Sequence, residues 1–214
     1  MPRNVVKVVL VLALAICVPV AAPAFPDKPI TLIVPYPAGG ATDVVIRPLA
    51  EAAGKILGQP VLVENKGGGG GAVGVGAIIG KEPDGYLLSV VVTSLHRVAH
   101  INKLAFDTVK DVSPILRVGG YLYGVLVQPD SKYKTLKDLI EQARANPGQV
   151  SYMASGIGTG GHIAAEEMAA NAGVKFNHLP SKGDQESSAA LLGGHVDFIS
   201  TTCLLYTSPS PRDS

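Results

Sequence analysis

Residues 30–43, with the sequence ITLIVPYPAGGATD, decide how the chain begins to fold. They open with a short apolar run rich in β-branched side chains, which predicts a buried strand. A loop containing Gly39 and Gly40 follows. Apolar residues then recur at helical spacing as far as Gly58, a typical helix stop. Pro48 is expected to kink this helix or to loosen its first turns. The segment therefore predicts a strand–loop–helix unit.

The rest of the chain repeats this alternation. Further strands are predicted at 61–63, 87–93, 124–127, 150–154, 176–179 and 196–200. Helices are predicted at 72–80, 136–143, 162–172 and 185–192, and Thr135 with Asp138 forms a plausible cap of one of them. Strands alternating with helices imply an α/β protein with mostly parallel sheets flanked by helices. Two series of such units predict two lobes, residues 25–120 and 121–202.

Two loops of the predicted lobes, residues 36–43 and 155–161, share a composition suited to anions. Each is glycine-rich and leads from a strand to a helix N-terminus, where unpaired N–H groups and the helix dipole attract negative charge. Thr42, Ser155 and Thr159 add hydroxyl donors. Such loops, facing each other across a cleft, would clamp a small carboxylate. The alternative is ordinary turns and caps, with Thr42 or Asp43 capping a helix.

The N-terminal residues 1–24 have the layout of a secretory signal peptide. Arg3 and Lys7 come first, an apolar run follows, and small residues precede position 25. A membrane anchor is the alternative, but a proline interrupts the run, which is shorter than the roughly 20 residues that a span needs. A lipid anchor on Cys17 is a further alternative, which the large Ile16 disfavours. We expect a periplasmic protein.

Residues 203–214 differ from the rest of the chain. A Ser- and Pro-rich stretch without core periodicity follows the last predicted strand, and it resembles a translated sequencing adaptor. We therefore expect this tail to be foreign to the protein. A genuine disordered tail is the alternative.

Composition and charge exclude several function classes. The net charge is +1, and there is no basic run, so no nucleic acid partner is expected. The two cysteines, Cys17 and Cys203, lie near the ends, so neither a disulfide framework nor a cysteine zinc site is expected. His96 and His100 have metal-ligand spacing but lack the following glutamate of a metalloprotease, and a solvated surface is the alternative.

Enzyme motifs are weak in this sequence. Residues 69–74 fit G-x-G-x-x-G, but the next predicted strand ends at Thr93 and Ser94 without the acidic residue that would hold a ribose. A flexible or closely packed turn is the simpler interpretation. No nucleophile elbow is present. His162 opens a predicted helix and could either donate to a ligand carboxylate or be a structural histidine. Asp43 is expected to cap its helix and to orient water or a ligand amine.

Short motifs occur in a fixed order between residues 25 and 202. They are FPDKPI at 25–30, VPYPAGG at 34–40 with Asp43 and Arg47, VENK at 63–66, PDGY at 83–86, FD at 106–107 with KD at 110–111, SGIG at 155–158 with His162, LP at 179–180 with KG at 182–183, and LLGGHVD at 191–197. Together they resemble the tripartite tricarboxylate transporter substrate-receptor family, also called the Bug family of periplasmic binding proteins.

The resemblance implies a two-lobed, Venus-flytrap receptor without catalytic activity. It implies a ligand carboxylate held by the two loops, with Lys182 and Gly183 at the cleft edge. The candidate ligand-binding residues are Tyr36, Ala38, Gly39, Gly40, Thr42, Asp43, Ser94, Ser155, Gly156, Thr159, Gly160, His162, Lys182 and Gly183. The expected ligands are dicarboxylates, tricarboxylates, acidic amino acids or aromatic acids. No metal and no cofactor is expected.

The resemblance also sets expectations for the rest of the protein. The loaded receptor, a monomer, would dock on a membrane permease. Family members normally continue past residue 202, so a C-terminal part of the fold is expected to be missing. Ser181 replaces an expected aromatic residue, and residues 67–71 are unusually rich in glycine. A periplasmic sensor that feeds a signalling system is the alternative function, and a dinucleotide-binding oxidoreductase is a more distant one.

Overall fold

The computed structural model describes residues 24–202. The predicted signal peptide up to residue 23, Cys17 included, and the predicted foreign tail from Cys203 onward lie outside these residues. The described residues form two sheets flanked by helices, which confirms the predicted α/β class. Within residues 24–202, no helix is long and apolar enough to cross a membrane.

The first sheet has three parallel strands in the order β2-β1-β3. Its strands are β1 (Ile30–Val34), β2 (Val61–Asn65) and β3 (Leu87–Ser89), and its helices are α1 (Ala41–Leu57), α2 (Ala72–Gly76) and α3 (Thr93–Ile101). Ile33 of β1, Ile46 of α1, Val75 of α2 and Leu95 of α3 are all buried. The helices thus bury one apolar face each against the sheet.

The second sheet has four strands in the order β4-β7-β5-β6. Its strands are β4 (Tyr123–Leu126), β5 (Ser151–Ala154), β6 (Asn177–Pro180) and β7 (Phe198–Thr202), and its helices are α4 (Leu136–Ala145), α5 (Gly160–Ala172) and α6 (Asp184–Leu192). β4 runs antiparallel to β7, and the other pairs are parallel. Tyr152 stacks on Phe198 in the core, with ring centroids 5.1 Å apart.

Four helices follow directly from the carboxyl ends of strands. β1 leads into α1, β3 into α3, β5 into α5 and β6 into α6. The carboxyl edges of parallel strands are the usual place for ligands in α/β proteins. This connectivity therefore fixes where a site can form.

The third strand is shorter than the prediction of 87–93. Its pairing with β1 ends at Ser89, and Thr93 already begins α3. The apolar residues in between form an extended connection, in which Val92 is buried and precedes the helix. The apolar run matches a strand in composition, but after the bond from the Val90 N–H to the Ile33 carbonyl at 2.8 Å, β1 has only Val34 left to pair with it.

Pro48 lies inside α1 without interrupting it. The helix continues from Ala41 to Leu57 and ends at Gly58, whose φ of 70° lies in the left-handed region. Pro48 lies on the exposed side of the helix next to exposed Val44. The Val44 carbonyl, which has no N–H partner at Pro48, can bond to water there.

The glycine-rich stretch after β2 is a closely packed turn. A Cβ atom on Gly74 would lie 2.8 Å from the Pro35 Cα atom, and one on Gly71 would lie 2.9 Å from a Val92 methyl group. The turn therefore holds the loop after β1 against the first sheet. Close packing explains these glycines without a dinucleotide.

Candidate ligand-binding cleft

Four helix N-termini meet at one cleft between the two sheets. Ala41, Thr93, Gly160 and Asp184, the first residues of α1, α3, α5 and α6, all line it. The first N–H groups of a helix have no partner within the helix, and the aligned peptide dipoles place partial positive charge there. A cleft surrounded by four such ends favours a negatively charged ligand.

Three of these four helices lack a side-chain cap. Their N-cap residues are Gly40, Val92 and Gly183, and none accepts a hydrogen bond from its helix through a side chain. α5 differs, because the Thr159 hydroxyl accepts from the His162 N–H at 3.5 Å. Uncapped N–H groups of α1, α3 and α6 therefore remain available to a ligand.

The cleft is narrow and its lining is almost neutral. Its volume is about 40 Å³, which corresponds to roughly three water molecules. The lining contains no Lys, Arg or His, and Asp184 is its one charged residue among those that the structure describes. The lining residues are Tyr36, Pro37, Gly40, Ala41, Thr42, Val92, Thr93, Ser94, Tyr121, Tyr123, Ser155, Thr159, Gly160, Gly183, Asp184, Gln185 and Thr202.

The structure brings together the majority of the residues predicted from the sequence. Those in the lining are Tyr36, Gly40, Thr42, Ser94, Ser155, Thr159, Gly160 and Gly183. The remaining candidates, Ala38, Gly39, Asp43, Gly156, His162 and Lys182, do not line the cleft. The two predicted loops thus meet at one cleft. Six of the candidate residues lie behind or beside these loops and do not line the cleft.

Asp43 lies behind the first loop. Its carboxylate accepts from the Gly39 N–H, from Arg47 Nε and from the Asn65 side-chain amide, each at 2.8 Å. Burial of the carboxyl raises its pKa, but the hydrogen bonds from Arg47, Gly39 and Asn65 outweigh this and lower the pKa below the ordinary value. All contacts of Asp43 therefore hold the loop, and a direct role toward water or a ligand amine is not seen.

His162 lies beside the second loop. Its Nδ1 atom accepts from the Gly158 N–H at 3.4 Å, and its ring lies 4.5 Å from that of His178. Burial lowers the pKa of His162, which favours the neutral form that accepts this bond. His162 supports the second loop from outside the cleft.

The other candidates outside the lining also have backbone or surface roles. The Ala38 carbonyl accepts from Gln185 Nε2 at 3.0 Å, and Gly156 accepts from the Thr159 hydroxyl at 2.7 Å. Lys182 is exposed, and its N–H donates to Glu186. These residues shape the edge of the cleft.

Two tyrosines that line the cleft, Tyr121 and Tyr123, were not predicted from the sequence. The Tyr121 hydroxyl lies 2.7 Å from Thr42 Oγ1, and the Tyr121 and Tyr123 rings are 6.4 Å apart. Burial raises the pKa of Tyr123 to about 12, so its hydroxyl stays protonated at neutral pH and can donate to an anion. Tyr36 adds a third hydroxyl, 3.1 Å from Ser94 Oγ. No sequence motif marks Tyr121 or Tyr123.

Hydrogen bonds close the cleft from both sides. Gln185 of α6 donates to Ala38, and Arg97 of α3 donates to the Gly158 carbonyl at 2.9 Å. Both bonds join a residue on the side of the first sheet to one on the side of the second. The two halves are therefore held in a closed arrangement.

The sequence of this chain matches the model of a known protein family. Residues 45–209 match the model of the tripartite tricarboxylate transporter family receptor. The chain belongs to this receptor family. The match favours a receptor over the sensor and oxidoreductase alternatives.

Curated relatives of the receptor share its sequence over a long stretch. A Cupriavidus necator protein, named for its position in the gbd 5′ region, is 45% identical over 181 residues, which are 85% of this chain and 55% of that protein. Protein BugT of Bordetella pertussis is 34% identical over 85% of this chain and 56% of its own length. The chain thus spans about 55% of the length of these relatives.

Several solved structures are similar in fold to this chain. One, described as a periplasmic transporter, is 35% identical with a TM-score of 0.78 over 84% of this chain and 61% of its own. MatC of Rhodopseudomonas palustris with bound malate is 27% identical, with a TM-score of 0.76 over 83% and 61%. An R. palustris protein with adipate is 25% identical, with a TM-score of 0.76 over 83% and 60%.

Proposed function

We propose that this protein is an extracytoplasmic receptor that binds a small carboxylate in the cleft and delivers it to a membrane permease. One observation supports the proposal most directly. Three uncapped helix N-termini surround the cleft, and the described lining of this cleft contains no cationic side chain. Malate and adipate, the ligands of two relatives, are small carboxylates. The family description, a transporter receptor, supports the delivery step.

The ligand carboxylate is held by backbone N–H groups and neutral hydroxyls. The N-termini of α1 and α3 supply the N–H groups, and the Tyr123 hydroxyl and the hydrogen-bonded pair of Thr42 and Tyr121 hydroxyls supply O–H donors in the same lining. Such donors stabilise negative charge without a counter-ion. Residues 25–120 and 121–202 form the two lobes that close on the ligand, and the receptor acts as a monomer in the periplasm.

The receptor acts without chemical change of its ligand. The matching family is described as a transporter receptor, which supports binding and release over catalysis. We therefore expect a ligand to be released unaltered.

Gly160→Ala tests the binding site directly. A Cβ atom at Gly160 would lie 2.2 Å from the Tyr123 ring, so the flexible end of Tyr123 must move within the cleft. We expect the affinity for carboxylates to fall about tenfold or more. Isothermal titration calorimetry of the purified protein with malate, adipate, succinate, glutamate and benzoate measures this.

Gly119→Ala is the matched control. A Cβ atom at Gly119 meets nothing within 4 Å, so this variant should bind like the unchanged protein. Melting temperatures of both variants show whether each is folded. Binding of none of the carboxylates by the unchanged, folded protein would contradict the proposed function.

A further inference from the structure

A buried carboxylate lies inside a cleft that is otherwise built for anions. Asp184, the first residue of α6, is 9% exposed and lines the cleft. Its Oδ1 atom accepts from the Thr201 hydroxyl at 2.8 Å and from the Ser155 hydroxyl, which are both neutral donors. No ion pair between residues 24 and 202 involves Asp184.

Further acceptor oxygens border the same cleft. The Gln185 Oε1 atom is buried and has no hydrogen-bond partner among the described residues, and the same holds for Thr202 Oγ1. Both residues line the cleft, and Thr202 is 6% exposed. The orientation of the Gln185 amide follows from its contacts, because Nε2 donates to the Ala38 carbonyl at 3.0 Å. Its carbonyl oxygen is therefore the atom left without a partner.

We propose that the cleft selects carboxylates that also carry a protonated amine, and that Asp184 is the residue that determines this specificity. The inference rests on the proposed function and names the class of ligand within it. An ammonium group has three N–H donors and a positive charge. The Asp184 carboxylate, Gln185 Oε1 and Thr202 Oγ1 are the oxygens that can accept from it.

Charge balance gives the reason for this selection. A buried carboxylate is costly unless a positive charge or sufficient hydrogen bonds compensate it. Arg97, at the edge of the cleft, donates to the Gly158 carbonyl and does not line the cleft. A ligand with only carboxylate groups adds negative charge beside Asp184, whereas an ammonium group compensates it. The N-termini of α1 and α3 remain for the carboxylate of the same ligand.

A purely structural role of Asp184 makes a different prediction. Its bond to the Ser155 hydroxyl links α6 to the loop that precedes α5. If Asp184 only held this loop, its replacement would weaken all ligands alike. Selectivity between matched ligands, rather than affinity alone, therefore separates the two roles.

The test compares ligands that differ only in the amine. Glutamate is titrated against glutarate, and 4-aminobutyrate against butyrate, by isothermal titration calorimetry of the purified protein. In each pair that binds, we expect the amine-bearing ligand to bind at least about tenfold more tightly than its partner. A hydrogen bond to a charged group contributes enough binding free energy for a tenfold difference in affinity. Asp184→Asn should reduce this ratio about tenfold or more.

Glu167→Gln is the matched control, because Glu167 is an exposed acidic residue of α5 outside the lining. Its ligand ratio should stay unchanged. Thr202→Val, of similar shape, removes one of the unpartnered oxygens and should lower the ratio as well. It serves as the second variant if the melting temperature shows that Asp184→Asn is unfolded.

The outcomes separate the two proposals. Glutarate or butyrate bound as tightly as its amine-bearing partner would overturn the inference and leave the receptor function standing. An equal loss for both members of a pair in Asp184→Asn, with the protein folded, would assign Asp184 the structural role and also overturn the inference. Failure of the unchanged protein to bind any carboxylate would contradict both proposals.

Discussion

At the scale of single residues, Asp43 holds the loop between β1 and α1 in place from outside the cleft. Its carboxylate joins the backbone of Gly39 to the side chains of Arg47 and Asn65. Its side chain is 3% exposed, whereas that of Arg47 is 49% exposed. The buried carboxylate therefore organises three donors from a loop, a helix and the end of β2.

Asp43→Asn should lower the stability of the protein at neutral pH by about 2 kcal/mol, because buried donors lose a charged acceptor. The pKa of Asp43 is lowered in the folded protein. Its contribution is thus fully present above the ordinary pKa of roughly 3.9 and is lost as the pH falls through the lower folded value.

Urea unfolding of both proteins between pH 3 and pH 7 measures this difference. The stability difference between the unchanged protein and Asp43→Asn should shrink in the acidic range. A difference that stays constant down to the lowest pH would show that the charge of Asp43 is not the cause.

At the scale of elements, close packing between a helix and a loop holds the first sheet together. Gly74 of α2 lies against Pro35, the residue that follows β1. Pro35 is itself fully buried and precedes the loop that lines the cleft. The packing of α2 thus helps to place the first loop.

Gly74→Ala should destabilise the protein by about 2 kcal/mol or more, because the new methyl group would lie 2.7 Å from Pro35 Cβ and both sides of this contact are rigid. Gly76→Ala is a control in the same helix. Its methyl group would meet Phe106 at 3.5 Å, an ordinary contact. Urea unfolding compares the two variants, and equal losses would contradict the packing explanation.

Much of the element pattern could be predicted because it depends on local sequence. The capping box of α4 is an example: Thr135 and Asp138 were recognised by spacing, and the structure contains both of its hydrogen bonds. The end of β3 was predicted wrongly, because pairing depends on the length of β1. Tyr121 was missed because its partner Thr42 is 79 positions away in sequence. Segments that lie far apart in sequence meet at the cleft only because the two sheets pack beside each other, and no local sequence pattern predicts that packing.

At the scale of the whole molecule, the closed cleft is too small for its proposed ligand. A volume of about 40 Å³ does not hold a dicarboxylate together with its water. The two sides must therefore separate for a ligand to bind. The bonds from Arg97 to Gly158 and from Gln185 to Ala38 oppose this separation.

Arg97→Ala should shift the protein toward an open arrangement, since one of the bonds across the cleft is lost. Small-angle X-ray scattering should show a larger radius of gyration without ligand. The dissociation constant of a carboxylate should fall about threefold or more, because a larger fraction of the protein is open to the ligand. Arg144→Ala is the matched control. Arg144 makes the same kind of bond, to the Ala172 carbonyl at 3.0 Å, within the second half alone. Equal radii for the two variants would contradict this role of Arg97.

The tyrosines of the cleft give the molecule an optical property of its own. The sequence has no tryptophan and seven tyrosines, and three of these, Tyr36, Tyr121 and Tyr123, line the cleft. Tyrosine emission, which tryptophan usually hides, is therefore the intrinsic fluorescence of this protein. A large share of its chromophores touches the space that a ligand occupies, so the unlabelled protein can report its own occupancy.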